Sequence, residues 1–386
     1  MLFRSIEAVV AGMRAHEFSA GVQEQGCWAL VNLSYNNDDL KTAIARAGGV
    51  ETAVAGMEAH GSIAGVQVHG FAALPNLALN DENRTAIARA GGIEAVVVGM
   101  GAHTQNIEVQ MSGCATLGNL SSNNDENKTL IASNLARAGG IEAVMAGMRA
   151  HGTSALMQQQ GCYAIRNLAR NDDLKTAIAR AGGIEAVVTA MRAHGSIAGV
   201  QVHGFAALRN LALNDENMTA IARAGGIEAV VVGMGVHHSI ARVQAEGCFA
   251  LRNLALNDEN RTAIARAGGI AAVVAGLGAH ESIEDVQISG CSALGNLSSN
   301  NDENKTLIAR AGGIEAVVAG MGRHSSIAGV QQKGCWALAN LAMEMVNKTA
   351  IARAGGIEVV VAGMGAHPTI AGVTREGRLA LEILSD

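Results

Sequence analysis

Asn80-Asp81-Glu82-Asn83-Arg84-Thr85-Ala86-Ile87-Ala88-Arg89-Ala90-Gly91-Gly92-Ile93-Glu94-Ala95-Val96-Val97-Val98-Gly99-Met100 decides the fold. Its first four residues offer N-cap side chains and negative charge to a helix N-terminus. The spacing predicts a short helix, roughly Glu82 to Ala90, ended by Gly91-Gly92, with Arg89 in the last turn where a cation suits the helix dipole. Ile93, Val96, Val97 and Met100 then fall at i, i+3, i+4 and i+7, the stripe of a second helix with Glu94 in its first turn. After a break around Gly101 to Thr104, a third helix is predicted over Ile107 to Leu120, with Val109, Gly113, Leu117 and Leu120 along its buried face.

The same passage recurs along the chain. Arg-Ala-Gly-Gly ends at Gly49, Gly92, Gly140, Gly183, Gly226, Gly269, Gly313 and Gly356, at intervals of 43, 48, 43, 43, 43, 44 and 43 residues. An Asn-Leu pair keeps step with it. A glycine stands in mid third helix at 26, 70, 113, 161, 204, 247, 290, 334 and 377. Each costs about 1 kcal/mol against alanine, so its recurrence implies helices in close contact. Helices this short cannot bury their apolar stripes alone, and stacking neighbours completes the burial. The expected fold is all-α, a right-handed α-α superhelix of the armadillo/HEAT solenoid type with three helices per ~43-residue repeat. No stretch reads as a linker, so residues 1–386 are expected to form a single solenoid. Arg4-Ser5-Ile6-Glu7 replaces Gly-Gly-Ile-Glu, which makes 1–37 a partial repeat without its short helix and leaves eight full repeats in 38–386.

Composition agrees. Of 386 residues 49% are hydrophobic but only 2% aromatic, with 48 glycines and 2 prolines, which suits closely packed helices better than a bulky globular core. A net charge of −6 gives no electrostatic case for nucleic acid or an anionic membrane. No apolar run reaches the ~18 residues that span a bilayer. The opening Met1-Leu2-Phe3-Arg4 is a poor signal peptide, and the expected compartment is cytoplasmic or nuclear.

Gly-Cys-Trp-Ala-Leu-Val-Asn-Leu at 26–33, Gly-Cys-Phe-Ala-Leu-Arg-Asn-Leu at 247–254 and Gly-Cys-Trp-Ala-Leu-Ala-Asn-Leu at 334–341 resemble the third helix of armadillo proteins of the importin-alpha and beta-catenin type. The resemblance covers essentially the whole chain. It implies a concave face on which the asparagines hydrogen-bond the backbone of an extended peptide. The residues that match are Asn32, Asn76, Asn119, Asn167, Asn210, Asn253, Asn296 and Asn340. A carboxamide carries a donor and an acceptor, so it can pair with a peptide unit of any sequence. The alternative is that each asparagine ties its helix to the next unit.

Four residues before the asparagine, one helical turn away, stand Trp28, Tyr163, Phe249 and Trp336, with Ala72, Ala115, Ala206 and Ser292 in the other units. In importin-alpha a tryptophan at this place holds the stems of basic side chains, and here only half of the positions are aromatic. Arg166, Arg209 and Arg252 directly precede the asparagine in three consecutive units. This cationic stripe suits carboxylate or phosphate groups and resembles the Arg-Asn-Leu of beta-catenin-type grooves, which bind acidic segments.

Cys27, Cys114, Cys162, Cys248, Cys291 and Cys335 share one repeat position. At ~10 Å between stacked helices they are too far apart for disulfides, and they read as small buried hydrophobes. A histidine closes each second helix (His16, His60, His103, His151, His194, His237, His280, His324 and His367), where its ring is expected to serve the last carbonyls; His69 and His203 could line the groove. Ser133-Asn134-Leu135-Ala136 reads as a one-turn insertion projecting outward, and Pro75 is expected to kink a third helix.

No nucleophile, base and orienting group stand out from the repeat, so no enzyme, cofactor, metal or small-molecule substrate is expected. The function expected is a protein–protein interaction module that holds an extended, acidic segment along the asparagine-lined groove, with no nucleic acid and no membrane insertion. The alternatives are a nuclear-transport-type adaptor for basic signals, and a structural scaffold or fragment of a larger multidomain protein.

Overall fold

The computed structural model describes residues 2–78, 81–121 and 128–385. Among them are 26 helices and no strand. The first helices of the repeats are nine residues long where the pattern is regular, as in Asp172–Arg180, Asp215–Arg223, Asp258–Arg266 and Asp302–Arg310. Each opens because an asparagine side chain accepts a hydrogen bond from a first-turn amide that has no partner in the helix: Asn214 from Asn217, Asn257 from Asn260, Asn301 from Asn304. Asn80, expected to cap Asp81–Arg89, lies outside the described residues. A glycine then turns the chain into the second helix. Gly225 and Gly268 have φ of 75° and 84°, a left-handed conformation that a side chain would strain. Second helices such as Gly226–Val236 and third helices such as Ala241–Leu254 complete the unit. The first repeat consists of Leu2–Ala15 and Ala20–Ser34, a second and a third helix.

The chain divides into two compact units, Met1–Ala190 and Met191–Asp386. Both are built on the same contacts. The second-helix methionine plugs the third-helix glycine of its own repeat: a Cβ on Gly247 would lie 2.5 Å from Met234 Cγ, and one on Gly70 2.5 Å from Met57 Cγ. The recurring glycine is thus the socket for a side chain, and helix propensity is given up for packing. Ile264, Leu251, Leu254 and Cys248 are buried, and the other five cysteines are buried and form no disulfide.

The most regular polar feature is a ladder of buried glutamines. Gln23, Gln67, Gln110, Gln158, Gln201, Gln244, Gln287 and Gln331 each donate from Nε2 to two carbonyls at the end of the second helix of their own repeat. Gln244 Nε2, for example, lies 2.8 Å from Met234 O and 3.0 Å from His237 O. Helix C-termini leave carbonyls without partners, and this side chain supplies the donor. Gln244 Oε1 meanwhile faces the next repeat, 3.1 Å from where a Cβ on Gly276 would stand, so the glycine before Leu277 makes room for the glutamine.

Two expectations are corrected. The histidine rings do not serve the last carbonyls of their own helix, which the glutamines occupy. Instead Nε2 reaches the preceding repeat: His103 to Gly61 O, His237 to Gly195 O and His280 to His238 O, all at 2.8 Å. Each histidine therefore ties two repeats together as a donor, through the Nε2–H tautomer or the protonated ring. The insertion at Ser133–Ala136 does not project outward. It belongs to the eleven-residue helix Lys128–Ala138, in which Asn134 and Leu135 are buried and Leu135 packs on Gly140. One added turn keeps the apolar face pointing inward. Pro75 lies inside a helix that runs from Ala64 to Leu77. The amide missing at Pro75 would have served Phe71 O, and the hydroxyl of Thr116, from the next repeat, lies 3.0 Å from that carbonyl.

Candidate binding face along the third helices

Hydrogen-bond accounting explains the asparagines first. The third helix Ala198–Leu211 ends with four carbonyls that need partners. Leu208 O receives Ala212 N–H, Asn210 O receives Leu213 N–H and Leu211 O receives Asn214 N–H. The fourth, Arg209 O, receives Asn253 Nδ2 of the next repeat at 2.9 Å. In the same way Asn296 donates to Arg252 O at 2.7 Å and Asn340 to Gly295 O at 3.0 Å. In the first compact unit Asn119 donates to Pro75 O at 3.5 Å. At these four positions the donor is spent on joining neighbouring third helices.

The acceptor half differs from place to place. Asn119 Oδ1 takes the Tyr163 hydroxyl at 2.5 Å, and Asn210 Oδ1 lies 3.3 Å from Arg209 Nε. Asn253, Asn296 and Asn340 show no internal donor to Oδ1 among the described residues. Asn167 is buried, Asn76 half-buried and Asn32 exposed.

The aromatic residues lean on the residue that precedes the asparagine one repeat earlier. A Cβ on Gly118 would lie 3.0 Å from the Tyr163 ring, and one on Gly295 would collide with the ring of Trp336. Phe249 lies under the Arg209 guanidinium, 5.5 Å from centroid to Cζ. Tyr163, Phe249 and Trp336 are half-buried. Trp28 is 51% exposed, with its ring 6.5 Å from that of His69, whose Nε2 is 3.9 Å from Glu24.

The arginine stripe is not uniform. Arg166, in the first compact unit, is half-buried. In the second, Arg209 is neutralised by Glu246 at 2.7 Å. Arg252 has no ion-pair partner among the described residues; burial and then the nearby Arg209 charge hold its pKa below the usual arginine value.

Arg252 lines a cleft of about 230 Å³ with Leu256, Asn296, Gln332, Lys333, Trp336, Arg375 and Glu376. Lys333 Nζ stands 5.9 Å from the centre of the Trp336 ring, and Arg375 pairs with Glu376 at 2.6 Å. Sequence reading missed Lys333, which stands seven before Asn340 where other repeats carry uncharged residues, histidine or glutamate. The helix between, Glu284–Ser298, presents Ser289, Ser292 and Gly295 at the equivalent positions, and their small size leaves the cleft open. No group of His, Cys, Asp or Glu able to hold a metal occurs among the described residues.

No family model and no curated relative matches the sequence. Among solved structures, the chain is similar to the crystal structure of an engineered protein, 31% identical, with a TM-score of 0.84, covering 99% of this chain and 89% of that one. A second engineered protein is 31% identical with a TM-score of 0.57, covering 64% of this chain and 96% of its own. A structure from a study of a phosphorylation switch that controls the interaction between cadherin and beta-catenin is 18% identical, with a TM-score of 0.73, over 98% of this chain and 72% of that one. The chain is an armadillo-like helical solenoid.

Proposed function

We propose that this chain is a protein-binding scaffold that holds an extended segment of a partner against the third-helix face. The observation that carries the reading is the half-used carboxamide. The backbone bond of Asn253, Asn296 and Asn340 fixes each side chain, and no donor among the described residues reaches Oδ1. A row of fixed acceptors can take the amide hydrogens of an extended chain whatever its sequence. At ~10 Å between helices and ~3.3 Å per extended residue, the row meets about every third residue of the ligand. The likeness to an armadillo-type structure concerned with cadherin supports a protein partner.

Arg252 and Lys333 on the same face favour an acidic segment over a basic signal.

The test is site-specific photocrosslinking. A photoreactive residue at Leu213 or Leu256, exposed at the ends of third helices, should trap a partner; one at Val98 or Val232, exposed on second helices, should not. Trapping confined to the second helices would place the interaction elsewhere.

A further inference from the structure

The cleft around Trp336 holds more positive charge than the protein neutralises. Arg252, Lys333 and Arg375 reach it, and the single carboxylate is Glu376, already bound to Arg375 through contacts of 2.6 and 2.9 Å. Neither Arg252 nor Lys333 has an ion pair among the described residues, and both are partly withdrawn from water. Lys333 stands over the face of Trp336. Their opposition is electrostatic as well as geometric: burial, then the Arg252 charge, holds the Lys333 pKa below the usual lysine value, with Glu376 acting in the opposite direction. Two like charges kept together on a partly desolvated surface are unfavourable unless something else completes them. Elsewhere on this face the chain does complete them, since Glu246 neutralises Arg209 one repeat away.

We propose that the cleft between Arg252, Lys333 and Trp336 is a subsite for one anionic side chain, carboxylate or phosphoryl, of the segment bound along the third helices. This rests on the groove reading above and adds to it the residues that select the ligand. Arg252 offers a planar donor fork and Lys333 a point charge, converging on one space from two helices separated by a third. Trp336, seated on Gly295, forms an apolar wall for the methylene groups that carry the anion.

The chain has 2 tryptophans, so Trp28→Phe leaves Trp336 as the sole indole reporter. In that background three synthetic extended peptides are titrated: one bearing a central glutamate cluster, one with glutamine in its place and one with phosphoserine. The glutamate or the phosphoserine peptide should change Trp336 emission saturably, and the better of the two identifies the source of the anion. The glutamine peptide should bind about ten-fold more weakly or worse, the factor carried by one charge-assisted hydrogen bond. Lys333→Met and Arg252→Met, each checked for an unchanged far-UV spectrum, should cost a similar factor and flatten the salt dependence.

Equal affinity for the glutamate and glutamine peptides, or peptide binding unaltered by both methionine variants, overturns the subsite and leaves the groove reading standing. If no peptide binds, while tripolyphosphate still shifts Trp336 emission in a manner lost on Lys333→Met, the groove reading and the peptide subsite both fall, and the cleft is an anion site that serves no extended segment. Silence from every probe removes both.

Discussion

Replacing Gln244 by methionine isolates what one rung of the glutamine ladder contributes. Methionine matches the length of glutamine and cannot donate a hydrogen bond. Met234 O would then have no donor among the described residues, whereas His237 O keeps the Ile240 amide at 3.0 Å. A buried carbonyl left without a partner costs about 1–3 kcal/mol, and the second, redundant bond adds about 0.5–1.5 kcal/mol. The gain from burying an apolar side chain in place of an amide offsets roughly 1 kcal/mol. The net expected loss is about 0.5–3.5 kcal/mol, centred near 2 kcal/mol. It is to be read from guanidinium unfolding, together with amide hydrogen exchange near Met234 and His237, because long repeat arrays do not always unfold in one step. Gln25→Met, at an exposed position of a third helix, is the control and should stay within about 0.5 kcal/mol. If the two substitutions had the same small effect, the ladder would be an ornament of packing and the hydrogen-bond accounting would be wrong.

Thr374 occupies the glutamine position of the last repeat, so Thr374→Gln should stabilise by up to about 1 kcal/mol, measured by the same unfolding titration. Glu344 precedes the helix Met345–Arg353 and makes no capping bond; Glu344→Asn should restore one and raise stability by about 1 kcal/mol. Gly278 is exposed with nothing near its missing Cβ, so Gly278→Ala should stabilise by about 0.5–1 kcal/mol. Gly290→Ala, whose Cβ would meet Leu277 Cδ2 at 2.6 Å, should destabilise by about 1–3 kcal/mol, and thermal unfolding of the pair checks both signs. Burial pushes the thiols of Cys114, Cys162, Cys248 and Cys291 from 9.0 up to about 12. The folded state holds those protons more tightly than the unfolded one, so their contribution is complete below pH about 9 and lost as pH rises toward 12. Circular dichroism against pH should show that alkaline loss, and a thiol reagent at pH 8 should react only after denaturant is added.

The period, the three helices and the cap sequences were legible because each rests on local rules: apolar spacing, asparagine at the N-cap, glycine at a left-handed turn. The glutamines were overlooked because a polar residue in a helix reads by default as solvated. Their signal was available, since a glutamine stands seven residues after the closing histidine in repeat after repeat, on a face otherwise buried. The histidine role was misjudged for a related reason. Sequence places the ring at a helix end without saying whether it faces its own carbonyls or those of the unit before. The asparagines were read as groove or tie; at Asn253, Asn296 and Asn340 the donor makes the tie and the acceptor stays available, a division that spacing does not reveal. Lys333 escaped notice because it is a singular departure, and periodic reading favours what recurs.

The reach of the ties sets how such a chain can change length. The glutamine bonds close within one repeat, and the histidine and third-helix asparagine bonds span 42 to 47 residues, from one repeat to its neighbour. Removing residues 227–269 would join Gly226 to Ile270 and recreate Arg-Ala-Gly-Gly-Ile at the splice. The donors on one side of the cut would meet carbonyls of the kind they had left. Whole-repeat loss or duplication is therefore the form of rearrangement this architecture tolerates, while a cut of any other size strands buried polar groups at the junction.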